Sequence, residues 1–195
     1  WTNEITLRGF KFLADHRVSG DCLFPAVGYI EMMGAALRDH FGSTTVELRD
    51  FKLYEALSIA EDDVILFSTT FDQVSSRLRI STLYRGTDDG WRMRAEAYGF
   101  SHKYELAPAP ADVLDIRQGL MDKAEFYRLT ERHGLEYGPS FQSLNDLYIE
   151  GDRLVARLSS RDIEQSRRYF AFPGLLDAVL QAGIALSSHR DGLWT

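Results

Sequence analysis

The feature that most constrains the fold is a pair of apolar stretches, each entered through the dipeptide Phe-Pro. Phe24-Pro25 leads into residues 26–40, and Phe172-Pro173 leads into a similar stretch 148 positions further along. Proline suits the first turn of a helix, because the N–H group that it lacks has no partner there. Both stretches are apolar on most faces, which is typical of buried helices. The chain therefore predicts two related halves, each with one buried helix.

Residues 45–102 have the composition of β-strands. Turn signals separate four segments rich in β-branched and aromatic residues, at positions 46–51, 64–71, 78–84 and 91–98. Their alternation predicts an antiparallel sheet with one solvated face and one face on the core. A further strand is expected over residues 5–12. Since one long helix is available to cover the sheet, the first half is predicted to be a hotdog, an antiparallel sheet wrapped around a buried helix.

The chain is predicted to divide into a first half, a linker and a second half, at residues 1–104, 105–121 and 122–195. The linker is rich in proline and alanine, which favours an extended connection. The second half is expected to hold a short helix, a strand pair and a long helix, at residues 122–132, 143–159 and 173–187. Because it offers fewer strands than the first half, we interpret it as incomplete.

Composition argues against several classes of protein. The net charge of −7 over 195 residues disfavours a nucleic-acid partner, since a phosphate backbone needs a basic face. Cys22 is the one cysteine, so we expect a buried thiol in a reducing compartment and a cytoplasmic location. No apolar run reaches about 18 residues, so neither a membrane span nor a membrane partner is expected. No cluster has metal-ligand spacing, so no metal is predicted.

Two polar side chains accompany the apolar stretches. His16 comes just before the first, and Asp177 lies inside the second. A base and an acid from two similar halves suggest one active site built between them. Apolar neighbours would favour the protonated form of Asp177, whereas a helix N-terminus would favour its ionised form, and the sequence leaves this balance open. Gln181 lies one turn further on, on the same face of the helix as Asp177.

Three motifs in order carry a resemblance to a known family. They are His16-x3-Gly20-x4-Pro25, Gly134-x2-Tyr137-Gly138-Pro139-x-Phe141 and Asp177-x3-Gln181. Together they resemble the dehydratase domain of modular polyketide synthases, an α+β double-hotdog fold related to fatty-acid synthase dehydratases. The resemblance covers nearly the whole chain. One departure is Phe172-Pro173, where the family often has His-Pro.

The resemblance implies a hydro-lyase that removes water from a β-hydroxyacyl thioester and leaves an α,β-unsaturated product. His16 would take the α-proton, a suitable task for imidazole near neutral pH. Asp177 would serve the departing hydroxyl, and Gln181 would orient its carboxyl group or hold that hydroxyl. Tyr137 would line the pocket and contact the departing water, and Gly138 would shape the turn beside it.

The resemblance also implies a means of stabilising charge on the thioester oxygen. Gly20 would let the backbone approach the ligand closely, and the helix after Pro25 would present free N–H groups at its positive end. Aimed at the carbonyl oxygen, such groups act as an oxyanion hole.

The expected partners follow from the same resemblance. They are an acyl carrier protein, whose phosphopantetheine arm delivers the substrate, and neighbouring synthase domains, with a homodimer formed through the parent synthase. No cofactor of the domain's own is expected. The same fold leaves open a double-bond isomerase, a pyran-forming cyclase, a product-template cyclase and a hotdog thioesterase. A non-catalytic domain that only docks the carrier is a further alternative.

Overall fold

The structure is a computed structural model that describes residues 1–43, 45–101, 121–150, 153–159 and 167–190. Contacts divide the chain into two compact units. The first contains Trp1–His16 and Asp21–Tyr104, and the second contains Arg17–Gly20 and Glu105–Thr195. Residues 105–120 of the expected linker lie outside the described residues. The domain boundaries proposed from the sequence therefore stay a prediction.

The first unit is built from strands around one long helix. Its elements are β1 (Thr2–Ile5), a 3-10 helix (Lys11–Asp15), β2 (His16–Val18), β3 (Asp21–Cys22), α1 (Ala26–Phe41), β4 (Val46–Leu53), β5 (Ile65–Asp72), β6 (Arg77–Tyr84) and β7 (Arg92–Ser101). Five of these strands form an antiparallel sheet in the order β1-β5-β6-β7-β4. Strand β2 begins in this unit at His16, and its remaining residues belong to the second unit.

Helix α1 packs against strands β4, β5, β6 and β7. It begins directly after Pro25 and ends at Gly42, whose φ of 60° gives the left-handed C-terminal cap that the sequence predicts. The approach of helix and sheet is close at Gly99 of β7, where a Cβ atom would lie 2.7 Å from the Leu37 methyl groups. The glycine leaves room here for the side chains of Leu37 and Leu78, which an added Cβ would displace.

The alternation of apolar and polar residues in the strands predicts which side chains lie on the buried face of the sheet. Phe67 of β5 faces Thr82 of β6, and Ile80 of β6 faces Ala95 of β7, and all four side chains are buried. Cys22 is also buried, as expected. These side chains form the core between the sheet and α1.

The strand predicted over residues 5–12 is wrong. Strand β1 stops at Ile5, and the next residues form a turn in which the Phe10 N–H donates to the Thr6 carbonyl oxygen at 3.0 Å. A 3-10 helix then buries Phe12 and Leu13, which are adjacent in sequence. Two adjacent buried side chains do not fit the alternation of a strand with one buried face.

The second unit packs two helices against a small sheet. Its elements are β8 (Met121–Asp122), α2 (Lys123–Arg132), β9 (Leu135–Tyr137), a 3-10 helix (Pro139–Phe141), β10 (Leu144–Glu150), β11 (Arg153–Leu158) and α3 (Pro173–Arg190). Strands β11, β10 and β8 form an antiparallel sheet in that order. Helix α2 begins at its predicted cap, because the Asp122 carboxylate accepts the Glu125 N–H at 2.8 Å.

Helix α3 is buried on one side and exposed on the other. Ala178, Ala182 and Ala185 enter the core of the second unit. In contrast, the exposed fractions of Val179 and Leu180 are 54% and 48%. The prediction that α3 is buried on most faces is therefore wrong within the described residues. The small alanine side chains, rather than the large apolar ones, face the sheet.

Candidate active site

The backbone and the ring of His16 both hydrogen-bond to the backbone of Leu23 in the first unit. The Leu23 N–H donates to the His16 carbonyl oxygen at 3.1 Å, and the His16 Nδ1 atom lies 2.9 Å from the Leu23 carbonyl oxygen. A carbonyl oxygen only accepts hydrogen bonds, so Nδ1 must carry the proton. The neutral ring then has its basic lone pair on Nε2. In this tautomer Nε2 is the ring nitrogen that can accept a proton.

The segment that accepts from His16 is itself fixed to residues 57–59. The Phe24 N–H donates to the Leu57 carbonyl oxygen at 2.8 Å, and the Ile59 N–H donates to the Cys22 carbonyl oxygen at 2.9 Å. These two bonds fix the backbone on both sides of Leu23. The orientation of the imidazole therefore depends on strand-like pairing between two segments far apart in sequence.

A buried arginine anchors the start of that second segment. Arg94 of β7 donates to the Glu55 carboxylate at 2.8 Å and to the Ala56 carbonyl oxygen at 3.3 Å. Its Nε atom donates to the Thr82 hydroxyl oxygen at 2.8 Å. The guanidinium group thereby ties residues 55 and 56 to the sheet, immediately before the residues that pair with the His16 neighbourhood.

Gly20 lies in the tight turn that follows β2. Ser19 and Gly20 have φ angles of 51° and 88°, and a two-residue type I′ turn needs positive φ at both central positions. The Gly20 N–H donates to the Glu136 carboxylate at 2.9 Å, and the Ser19 N–H donates to the Gly134 carbonyl oxygen at 2.7 Å. In the structure, Gly20 thus builds a turn whose amides bind the segment after α2.

Pro25 directly precedes α1, and among the described residues no side chain caps this helix end. The Gly28 N–H donates to the Pro25 carbonyl oxygen at 2.9 Å, so the first turn is already closed there. The N–H groups of Ala26 and Val27 come before this bond. They are the backbone donors at the positive end of the helix dipole.

Asp177 and Gln181 form a buried pair one turn apart on α3. The Gln181 Nε2 atom donates to the Asp177 Oδ2 atom at 2.8 Å and to the Phe141 carbonyl oxygen at 3.0 Å. Both side chains are buried. Because a carbonyl oxygen cannot donate, the Phe141 contact fixes which end of the amide is nitrogen. The Asp177 carboxyl group consequently accepts an amide N–H at Oδ2.

Tyr127 of α2 completes this network, and the sequence did not single it out. Its hydroxyl group lies 3.0 Å from the Gln181 Oε1 atom and 3.2 Å from the Phe141 carbonyl oxygen. It also accepts the Leu144 N–H at 3.2 Å. No motif marks this tyrosine, which lies 54 positions from Gln181. Only its place on the buried face of a short amphipathic helix was available as a signal.

Tyr137 lies close to the same network in the second unit. Its ring packs edge-on against Tyr127 with the ring centroids 6.1 Å apart. Burial raises the pKa of the Tyr137 hydroxyl well above its ordinary value, and Asp177 adds to this rise when its carboxyl group is ionised. This hydroxyl therefore keeps its proton at neutral pH. Beside it, the Gly138 carbonyl oxygen accepts the Phe141 N–H at 3.0 Å and starts the 3-10 turn.

The structure brings Asp177, Gln181 and Tyr137 into one region of the second unit, while His16 and Pro25 belong to the first unit. Among the described residues, no three His, Cys, Asp or Glu side chains are grouped so as to hold a metal ion. In the same part of the chain, the helices are too short or too polar to cross a membrane.

Comparison with protein families gives two adjacent matches. Residues 1–84 match the model described as polyketide synthase dehydratase domain. Residues 94–193 match the model described as polyketide synthase dehydratase N-terminal domain. Together the two matches cover most of the chain, and polyketide synthase dehydratase domains are hydro-lyases. The chain belongs to the polyketide synthase dehydratase family, whose members dehydrate β-hydroxyacyl intermediates in polyketide synthesis.

Similar proteins are far longer than this chain. The squalestatin hexaketide synthase of Phoma sp. is 28% identical over 93% of the chain, which spans 8% of that protein. The polyketide synthase ThaG of Burkholderia thailandensis is 30% identical over 90% of the chain, which spans 3% of it. The chain therefore corresponds to a small part of each of these relatives.

Solved structures show the same fold. The dehydratase domain of the CurK module of curacin polyketide synthase is 24% identical and superposes with a TM-score of 0.84, over 97% of this chain and 70% of that one. The corresponding CurF domain gives a TM-score of 0.79 at 22% identity, over 92% and 67%. The expected family, the α+β double-hotdog fold class and the hydro-lyase class are thus confirmed, with only part of the double hotdog present.

Proposed function

We propose that this chain removes water from a β-hydroxyacyl thioester, with His16 as the base and Asp177 as the group that serves the departing hydroxyl. The observation that carries the proposal is the buried pair of Asp177 and Gln181, joined at 2.8 Å. Burying a carboxyl group costs free energy unless it is hydrogen-bonded. Here the partner is an amide that fixes its orientation.

In this mechanism His16 takes the α-proton through Nε2. The electron pair of the broken C–H bond forms the new double bond between the α- and β-carbons. The bond from the β-carbon to oxygen breaks, and the hydroxyl leaves as water with a proton from Asp177. The hydrogen bond between Nδ1 and the Leu23 carbonyl oxygen, 2.9 Å long, supports this role, because it stabilises the imidazolium that forms.

When Asp177 carries the proton that this mechanism requires, the proton would be on Oδ1. An amide N–H favours the carbonyl-like oxygen of a carboxylic acid, and Gln181 donates its N–H to Oδ2. The same arrangement prepares the carboxylate that is left after proton transfer, since the N–H already faces it. Tyr137, whose hydroxyl keeps its proton, would hold the departing oxygen nearby. Gly138 shapes the turn that carries this tyrosine.

Charge on the thioester oxygen would be met by the backbone at the start of α1. The N–H groups of Ala26 and Val27 follow Pro25 and lie at the positive end of that helix. The Gly20 N–H is already bound to Glu136, so in this proposal Gly20 contributes the turn beside His16. Removing one oxyanion donor typically costs about 10²–10³-fold in rate. The mechanism needs no cofactor of the domain's own.

The length of the relatives supports delivery of the substrate by a larger assembly. We propose an acyl carrier protein with a phosphopantetheine arm, neighbouring synthase domains, a homodimer through the parent synthase and a cytoplasmic location. Two similar solved structures are inactive forms of the CurK dehydratase, one with an aspartate changed to asparagine and one with a histidine changed to phenylalanine. An inactivating change at a histidine and at an aspartate in the same fold supports the two assigned roles.

The test measures products from a 3-hydroxyacyl thioester by mass spectrometry. We expect an enoyl thioester from the wild-type chain, and a loss of roughly 10²–10⁴-fold in both His16→Ala and Asp177→Asn. Two matched controls should keep full activity: His133→Ala changes an exposed side chain, and Asp146→Asn changes a half-exposed one that pairs with Arg157 on the neighbouring strand. Wild-type turnover that persists in a folded His16→Ala variant would refute the base assignment. A shifted double bond or a cyclic ether as the product would instead indicate one of the alternative same-fold chemistries.

A further inference from the structure

We propose that Tyr127 of α2 is a positioning residue for Asp177 and acts through the Gln181 amide. This inference rests on the proposed function, because the orientation of Asp177 affects the rate only if Asp177 serves the departing hydroxyl. The observation behind it is a continuous series of directed hydrogen bonds. The series runs from the backbone of β10 to the Asp177 carboxyl group.

The direction of each bond follows from what each group can donate. The Leu144 N–H can only donate, and it points to the Tyr127 hydroxyl oxygen at 3.2 Å. Tyr127 must then use its single proton to donate elsewhere. The Gln181 Oε1 atom, at 3.0 Å, is closer to that hydroxyl than the Phe141 carbonyl oxygen, at 3.2 Å. The tyrosine therefore donates to the amide oxygen.

Two contacts then fix the Gln181 amide in one orientation. The Phe141 carbonyl oxygen accepts from Nε2 at 3.0 Å, and the Tyr127 hydroxyl donates to Oε1. A flipped amide would place its oxygen against a carbonyl oxygen and its nitrogen against a donor. With Nε2 fixed, its second N–H is directed to Asp177 Oδ2 at 2.8 Å. Tyr127 thus fixes the orientation of the Gln181 amide, which in turn orients the Asp177 carboxyl group.

Burial makes this arrangement sensitive to the loss of one hydroxyl. Gln181 has an exposed fraction of 1%, so solvent does not readily replace a lost donor. In a Tyr127→Phe variant, the buried Oε1 atom loses this donor and the Leu144 N–H loses this acceptor. Without the Tyr127 donor, the Gln181 amide is held less firmly and can rotate away from Asp177. The aromatic ring itself still packs against Phe126 and Tyr137, at centroid distances of 5.0 and 6.1 Å.

The first experiment compares Tyr127→Phe with wild type in the dehydration assay. We expect kcat to fall by roughly 10- to 100-fold, the scale of a misplaced catalytic group, while KM changes little. Tyr148→Phe is the matched control. It also removes one tyrosine hydroxyl, from β10 of the same unit, and it should leave kcat unchanged. An unchanged kcat in folded Tyr127→Phe overturns the inference.

A double variant separates positioning from general structural damage. If Tyr127 acts only through the amide, then Tyr127→Phe should cause no further loss of kcat in a Gln181→Met background. A structural role would lower kcat independently of Gln181, and the two losses would multiply. Multiplying losses therefore overturn the inference.

A readout that needs no turnover distinguishes this inference from the proposed function. In wild type and Tyr148→Phe, the side-chain amide protons of Gln181 should be protected from solvent exchange in NMR spectra. In Tyr127→Phe we expect them to exchange at least about tenfold faster, because local opening is easier. Equal exchange in all three proteins contradicts the role of Tyr127. A wild-type chain that fails to dehydrate the thioester, yet shows the expected exchange, contradicts the proposed function alone.

Discussion

Replacing Gly174 with alanine tests how closely α3 must approach the 3-10 turn at residues 139–141. Gly174 is the second residue of the helix, and an added Cβ atom would overlap the Ser140 carbonyl oxygen. It would also lie 2.9 Å from a ring carbon of Phe172. The main obstacle is backbone, so no side-chain rotation can relieve it. Helix and turn must instead move apart.

The size of the effect follows from that overlap. Restoring a normal van der Waals separation requires a shift of roughly 1 Å. Overpacking of this kind typically costs about 1–3 kcal/mol in the free energy of unfolding. For a chain of this length each kcal/mol lowers Tm by about 2–4 °C. We therefore expect Gly174→Ala to lower Tm by about 2–12 °C.

The same shift reaches the candidate active site. The Gln181 Nε2 atom bonds to the Phe141 carbonyl oxygen at 3.0 Å, and this bond joins the two segments that move apart. A displacement of about 1 Å at a catalytic group can reduce the rate by about 10²-fold. Gly174→Ala should therefore lose activity even at temperatures where it is fully folded.

Thermal unfolding and the dehydration assay together measure both effects. The matched control is Gly183→Ala in the same helix, where an added Cβ atom meets nothing within 4 Å. Alanine is the better helix former, so this control should gain about 0.5–1 kcal/mol of stability. If Gly174→Ala is as stable and as active as Gly183→Ala, the close approach of α3 to the turn is not required, and the reasoning fails.

Three further predictions concern stability. The Tyr29 hydroxyl is buried without a hydrogen-bond partner among the described residues, so Tyr29→Phe should keep or slightly raise Tm, and a clear drop in Tm contradicts this. Burial raises the pKa of Tyr29 above its ordinary value of 10.0, so the stability it contributes is present below pH 10 and is lost at higher pH. Tyr29→Phe should accordingly reduce the alkaline loss of stability, measured by denaturant unfolding between pH 8 and pH 11 (roughly the range where phenols titrate). Asp122→Ala removes the cap of α2 and should cost about 1 kcal/mol, which urea unfolding detects, whereas an unchanged midpoint means that the cap bond contributes nothing.

The sequence predicted those elements whose signals are local. Helix α1 follows from Pro25 at its start and Gly42 at its end, and α2 follows from its Asp122 cap. The main strands of the first sheet follow from alternation that the buried face confirms. Where one face of an element is buried along its whole length, pattern and structure agree.

The turn after β1, the exposed side of α3 and the role proposed for Tyr127 depend on tertiary contacts that no local sequence pattern encodes. The strand expected over residues 5–12 is interrupted by a turn that Thr6 closes through backbone and side-chain bonds. On α3 the large apolar side chains of Val179 and Leu180 are exposed while the small Ala178 and Ala182 are buried, so apolar character alone did not identify the buried side. Tyr127 gained its role only through partners on other elements. The motif residues themselves remain proposals about function, and the network around Gln181 is the part that only the structure supplied.

The most direct test of the account compares kcat for His16→Ala, Asp177→Asn and the variant that carries both changes. The His16 imidazole and the Asp177 carboxyl group are proposed to act together in a single elimination. The effects of residues that act together are not additive. We predict that the double variant is no slower than the slower single variant. A double variant whose loss equals the product of the two single losses would show that the imidazole and the carboxyl act independently, and would contradict the central claim.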